Sequence, residues 1–335
     1  MGIKFSFGAK PKAPIQNFVE LVRLGEGLGF DAAWVPDQTF FPDPFLSIAM
    51  SAAATETIDL VIGVVNPFTR HPVQVARAAA TLDDIAPGRI VLGYGAGNRK
   101  ELIAPMGYEQ KQSTQRCREA ILVSRQLLQG ETVNYRSETL VADGIQLEMP
   151  AHPNIPIYLA ARGPQILQLA GELADVVVIG ALISKAGLEF AIQQAKVGAL
   201  RAGRKPDEVE LMSWITCYVT EDKPAWTQYY RPSAAHILAG APAEVFEALN
   251  LKKDFMDTLK ARYAEGGSGA AASLVPDELV HQLAVIGSPD EVAEQLNTAT
   301  GLGIKHFGIL VNAPTITETE QMLRKFAEHV MPAFK

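Results

Sequence analysis

Six short segments of this 335-residue chain carry side chains or turns that could do chemistry, and each closes an apolar run. Gly8 ends the first. Asp37-Gln38 follows Val35-Pro36, where a carboxylate leaving a buried strand needs an ionic or hydrogen-bonding partner. Gly63-Val64-Val65-Asn66 runs into Pro67-Phe68-Thr69-Arg70-His71-Pro72, which opens a helix, and His71 there reads either as a cap or as a catalyst. The stretch GYGAGNRKE (93–101) holds Ala96 and Gly97, and AARGP (160–164) holds Arg162 and Gly163. Glycines of this kind let a ligand approach the main chain. In the second of these stretches Pro164 takes a first helical position, so the unpaired N–H groups there suit one phosphate. Gly180 and Ala181 begin the sixth segment, GALIS (180–184). Each loop alone is explained by a tight turn; several on one rim fit a ligand site equally well.

Other chemistries lack their residues. The remaining histidines, at 152, 236, 281, 306 and 329, share no spacing, and Cys117 and Cys217 form no CxxC, so neither a metal site nor a disulfide framework is expected. The 93–101 stretch lacks the lysine-serine/threonine ending of a nucleotide phosphate loop. No Gly-x-Ser-x-Gly elbow occurs. A net charge of −7 gives no basic excess for nucleic acid. No apolar run reaches the roughly 18 residues of a spanning helix, and no leader pattern precedes the first strand. A cytoplasmic protein with no membrane or nucleic-acid partner is the expectation.

The elements that must position these residues alternate strictly. Strand-like runs at 3–7, 31–36, 60–65, 89–94, 155–161, 174–180, 208–220 and 304–311 are nearly all followed by segments of helical period. A doubly wound sheet would carry GxGxxG after its first strand, and FSFGAKP does not. The pattern predicts a single α/β domain over 1–335, a (β/α)8 TIM barrel with insertions at about 129–150 and 223–269. The first insertion reads as a hairpin or extended excursion. The second reads as mostly helical and ends in EGGSGAAAS (265–273), expected to be a flexible surface lid or interface. In such a barrel the loops at the C-terminal strand ends form the site, which is where the six segments fall.

The segments GFDAAWVPDQ, IDLVIGVVNPFTRHPVQVARAAATLDDIAPGRIVLGYGAGN, IPIYLAARGPQILQLAGELADVVVIGA, ILAGAPAEVFEAL and VIGSPDEVAEQL, in this order, resemble the bacterial-luciferase-like family, and within it the F420-dependent methylenetetrahydromethanopterin reductases. Asn-Pro-x-Thr-Arg-His-Pro is the most specific element. The resemblance implies a non-proline cis peptide at Gly63-Val64, forming a bulge behind the ring system of deazaflavin F420 or of FMN. It further implies Asn66 and Gln38 near the ring, Ala96-Gly97 along the cofactor channel, and Arg162, Gly163, Gly180 and Ala181 around its phosphate. Asp37 becomes the candidate catalytic group. Relatives often carry glycine or glutamine where this chain has Arg162.

Three family acids are replaced. Gly8 stands at the glutamate taken as proton donor in the methanopterin reductases, Gln38 at the catalytic histidine of the F420-dependent sugar-phosphate dehydrogenases, and Asn98 at a second acid of those dehydrogenases. Amides donate hydrogen bonds but shuttle no protons at neutral pH. Three functions follow from the resemblance: an F420-dependent oxidoreductase acting on a small organic substrate other than the methanopterin, an FMN-dependent monooxygenase fed by a reductase partner, and a flavin- or F420-binding protein without catalysis. A homodimer through the outer helices near strands one to three is also implied.

Overall fold

A computed structural model describes residues 2–11, 14–38, 40–98 and 103–335. Its strands are β1 (Lys4–Gly8), β2 (Ala32–Val35), β3 (Asp59–Val65), β4 (Ile90–Gly95), β5 (Val133–Arg136), β6 (Val141–Ile145), β7 (Ile157–Ala161), β8 (Val176–Gly180), β9 (Glu210–Val219), β10 (Ala284–Gly287) and β11 (His306–Leu310). Parallel pairing runs β1, β2, β3, β4, β7, β8, β9, β11 and returns to β1, so these eight strands close an α/β TIM barrel. β5 and β6 form an antiparallel hairpin outside it.

Helices α1 (Ile15–Gly27), α2 (Pro44–Ala54), α3 (Pro72–Ile85), α4 (Ser113–Leu128), α5 (Pro164–Leu173) and α6 (Lys185–Arg201) wrap the first six barrel strands. After β9 the chain makes α7 (Lys223–Ala239), α8 (Ala243–Ala248), α9 (Lys253–Ala272) and α10 (Asp277–Val280), and then α11 (Pro289–Gly301) and α12 (Ile316–His329) flank β11. Local chemistry sets the helix starts. Asp43 caps α2 by accepting from the Phe45 and Leu46 N–H groups with Pro44 at the first helical position, and Ser288 and Thr315 form capping boxes with Glu291 and Glu318. No helix among the described residues is long and apolar enough to cross a membrane.

The strands are aliphatic because both faces are covered. Alternate residues on the outer face join the helices in the main core, while Ala32, Trp34, Val61, Val91, Tyr158, Val178 and Met212 fill the barrel interior. The interior is plugged by Trp34 and Trp214, whose rings lie 4.7 Å apart. Glycines make this possible. A Cβ at Gly8 or at Gly308 would overlap the Trp214 ring, and one at Gly63 would stand 2.5 Å from Trp34.

Two features differ from the sequence expectation. EGGSGAAAS is not a loose loop: α9 continues through it to Ala272, bending where Gly266 and Gly267 leave helical geometry (Gly267 at φ 71°), and Ala271 is buried. The four-residue β10 (Ala284–Gly287) was not among the strand-like runs. It pairs with the far end of β9, beyond the barrel.

Candidate active site

At the C-terminal end of the barrel the loops surround a cavity of about 970 Å³ floored by Trp34 and Trp214. Beginning at β3, the peptide between Gly63 and Val64 is cis, and the β3–β4 register shifts between Gly63 and Val65. Val64 turns toward the cavity and lies against Gly95, where a Cβ would come within 2.8 Å of its Cγ2. Next, Asn66 is buried and its Oδ1 accepts from Phe68 N (3.1 Å), Thr69 N (3.0 Å) and Thr69 Oγ1 (3.1 Å). Those three donors fix the amide's orientation and leave Nδ2 as a buried donor without a partner on the cavity wall. Thr69 therefore serves Asn66, and His71 caps α3 by accepting from Val73 N.

Arg70 looks the other way. Its Nε donates to Asp37 Oδ2 (3.0 Å), and its Nη2 donates to Asp37 Oδ1 (3.2 Å) and Asp43 Oδ2 (2.7 Å). These contacts hold the Arg70 guanidinium's pKa above its ordinary value despite burial. Asp37 thus stands at the cavity, as its place after β2 predicts, with both oxygens engaged by one guanidinium. Gln38 lines the cavity beside it.

On the β4 side Gln110 Nε2 donates to the carbonyls of Ala96 (2.8 Å) and Gly97 (3.1 Å), shaping that loop. Gly97 has φ 73°, and a Cβ on it would stand 2.9 Å from Asn66 Cβ, so position 97 needs glycine on both counts. Arg99, Lys100 and Glu101 of the 93–101 stretch lie outside the described residues. After β7, Arg162 Nε donates to Gly180 O (3.1 Å) and Nη1 to Ile237 O (3.3 Å). Its burial lowers the guanidinium pKa. Gly163 caps α5 with no side chain, leaving the first N–H groups of that helix open to the cavity. Gly180 lines the cavity; Ala181 does not, because its positive φ (54°) turns it into the wall, where its N–H donates to Trp214 O (2.8 Å).

The wall opposite the strand ends comes from α7 and α9. His236 Nε2 lies 2.7 Å from Asn98 Nδ2, and its Nδ1 lies 2.6 Å from Tyr263 Oη, and both residues line the cavity. Among the described lining residues the charged groups are Lys10, Arg162, Lys260 and Asp37, with Asp37 neutralised by Arg70, so the cavity is electropositive. No cluster of metal-ligating side chains occurs among the described residues.

The luciferase-like monooxygenase family matches residues 3–306. The chain belongs to that family. It is 30% identical to the 5,10-methylenetetrahydromethanopterin reductase of Archaeoglobus fulgidus over 99% of this chain and 100% of that protein. It is 27% identical to the F420-dependent glucose-6-phosphate dehydrogenase of Nakamurella multipartita, over 98% of this chain and 96% of that protein. The structure of the coenzyme F420-dependent tetrahydromethanopterin reductase of Methanopyrus kandleri superposes with a TM-score of 0.87 at 24% identity, covering all of both chains. The Nakamurella and Methanopyrus proteins are F420-dependent by name.

The luciferase-like barrel brings together Asp37, Gln38, Gly63, Val64, Asn66, Ala96, Gly97, Arg162, Gly163 and Gly180 on one cavity. Reading strand ends missed His236, Lys260 and Tyr263, because they sit inside helices of the second insertion, where no strand-end rule applies. The one available signal was a half-polar insertion of several helices, which in a barrel must fold back over a rim.

Proposed function

We propose that this chain is an F420-dependent oxidoreductase acting on a small organic substrate other than methylenetetrahydromethanopterin. When bound, F420 supplies a two-electron centre that accepts or donates hydride. The observation that carries the reading is the Asn66 Nδ2 donor, buried and unpartnered on a wall otherwise made of Val64 and the glycine-bearing 95–97 turn. A flat ring system with an acceptor at its edge fits that wall. The open N-terminus of α5 with Arg162 suits the cofactor's phosphate, and the lysines suit its anionic tail.

Asp37 acts as a positioning residue at the β2 end, because Arg70 occupies both its oxygens. The methanopterin route is disfavoured at β1: a side chain at Gly8 would overlap Trp214, so the strand end that carries an acid in those reductases is closed here. We also infer pairing of two chains through α2 and the loop before it, where Leu46 (65% exposed) and Phe40 (63%) are uncovered apolar groups. Light scattering on the wild type and on Leu46→Asp checks this, with a dimer expected only for the former.

The deciding experiment is equilibrium binding of F420 and FMN side by side, on the wild type and on Asn66→Asp. Aspartate keeps the Oδ1 acceptor that organises the loop but replaces the donor with a second acceptor. F420 affinity should drop by about 10- to 100-fold, the effect of turning one buried hydrogen bond into a repulsive contact. Tight FMN binding with no F420 binding would instead select the FMN-dependent monooxygenase, for which the family description is the supporting observation.

A further inference from the structure

We propose that His236, held between Asn98 and Tyr263, is the proton acceptor and donor of this cavity, and that the reacting carbon of its substrate bears a hydroxyl or carbonyl oxygen. The inference rests on the deazaflavin reading above and concerns where the proton goes. Hydride transfer to or from a carbinol carbon needs a partner that takes or gives a proton at the oxygen.

The usual positions offer none. The β1 end is closed by Trp214 against Gly8, Gln38 and Asn98 are amides, and Asp37 is ion-paired through both oxygens to the Arg70 guanidinium, a bond that taking up a proton would break, whereas the His236 contacts are neutral hydrogen bonds. Lys10, Lys260 and Arg162 serve the anionic groups of the cofactor in the reading above. Among the described lining residues this leaves the imidazole of His236 and the phenol of Tyr263. Their placement is not incidental. Asn98 follows directly on Gly97, which packs against Asn66, and the imidazole lines the same cavity as the unpartnered Nδ2. Arg162 Nη1 donates to the carbonyl of Ile237 and pins the same turn of α7 to the β7 end.

The hydrogen bonds select a tautomer. An amide nitrogen 2.7 Å from Nε2 donates to it, so Nε2 carries the lone pair, and Nδ1–H donates to Tyr263 Oη at 2.6 Å. In the oxidative direction the carbinol C–H bond breaks and its hydrogen leaves with the electron pair to the deazaflavin, which is reduced. The substrate oxygen takes the place of the Asn98 amide on Nε2, its O–H bond breaks and the proton goes to the lone pair so freed. The C=O double bond forms, and the imidazolium keeps Nδ1–H on Tyr263 while the Asn98 amide donates to the new carbonyl oxygen. Reduction of a ketone runs the same steps backwards.

The test uses full-length protein, F420, and a panel of three- to six-carbon secondary alcohols, with His236→Gln, His236→Asn and Tyr263→Phe. The wild type should bleach the deazaflavin absorbance with at least one alcohol. Both His236 variants should lose at least about 100-fold in kcat/KM. They should bind F420 within about threefold of the wild type, and the imidazole limb of the pH profile should vanish. Tyr263→Phe should move that limb without abolishing it. Nitrogen NMR of the ligand-free protein, with the His236 signal identified by its loss in His236→Gln, should show the Nδ1–H tautomer. The inference is overturned by the opposite tautomer, by a His236→Gln enzyme with an unaltered pH limb, or by a wild type that binds F420 but oxidises none of the alcohols. Failure of the wild type to bind F420 would overturn the cofactor reading instead.

Discussion

Arg70 ties its own β3–α3 loop to both ends of the β2–α2 loop with one side chain. Its guanidinium holds Asp37 after β2, Asp43 at the start of α2, and lies 5.3 Å over the Phe45 ring, while its own backbone sits four residues after Asn66. Asp37 is 2% exposed as a side chain and Arg70 is 33% exposed, so the pair is only half withdrawn from water. Removing the cation strands a buried carboxylate. Arg70→Ala should therefore destabilise by about 2–3 kcal/mol, less than the roughly 3–5 kcal/mol for breaking a fully buried pair because solvent still reaches the guanidinium. Arg70→Lys should recover less than half, since an ammonium cannot reproduce the planar fork that reaches both carboxylates. Urea unfolding checks this: the midpoint should move down with an unchanged slope, and a wild-type midpoint in Arg70→Ala would mean that the pair is ornamental. Asp37 and Arg70 were readable in sequence as residues at strand mouths. Their pairing was not, because 33 residues separate them and only the β2–β3 neighbourhood brings them together.

At the scale of elements, α5 and α6 approach through two glycines. A Cβ at Gly171 would overlap the Ala195 carbonyl and one at Gly198 would overlap the Gln168 carbonyl, so each helix reserves a gap for the other's backbone. Methyl groups there have no flexible neighbour to displace. Gly198→Ala should cost about 1–3 kcal/mol by overpacking, and because α5 begins at Gly163 it should also weaken F420 binding. Gly27→Ala at the end of α1 is the control: nothing lies within 4 Å of its Cβ and its φ is not positive. That control should match the wild type or gain up to about 1 kcal/mol from helix propensity. Thermal unfolding of both variants distinguishes the two sites. Alternation of apolar runs and helical periods made the barrel legible, because each strand is buried on both faces and each helix on one. Gly171 and Gly198 were not legible as contacts, since a glycine inside a helical pattern reads as a weakness until the helix it faces is known.

Over the whole molecule the barrel keeps its two mouths chemically apart. The C-terminal mouth was legible as far as the strands reach, from Asn66 to Gly180, and illegible where α7 and α9 fold back, since the contact of His236 with Asn98 spans 138 residues. The opposite mouth holds a second polar group that no ligand reading touches. His306 at the start of β11 is buried, donates to or accepts from Ser6 Oγ at 3.0 Å, and stands 3.8 Å from Glu210, too far for a hydrogen bond. Burial, with Lys4 nearby, pushes its pKa down from 6.5 to about 3. Asp59 at the start of β3 is shifted the opposite way, from 3.8 up to about 6, chiefly by burial. The signs then differ. As pH falls from 6.5 to about 3 the unfolded chain gains a proton that folded His306 refuses, so this residue removes stability on acidification. Between 3.8 and about 6 the folded chain keeps an Asp59 proton that the unfolded chain has released, so this residue removes stability as pH rises through that window. Asp59→Asn abolishes the second effect alone. Its melting temperature should exceed the wild type's at every pH above about 6, and the gain should shrink through the window and be gone below 3.8. In the same variant the His306 slope stands unopposed, so its acid limb should be steeper than the wild type's, and adding His306→Asn should flatten it. Melting curves across this range decide the matter, because a gain that persists undiminished at the acid end cannot come from an ionised carboxylate at the barrel's base.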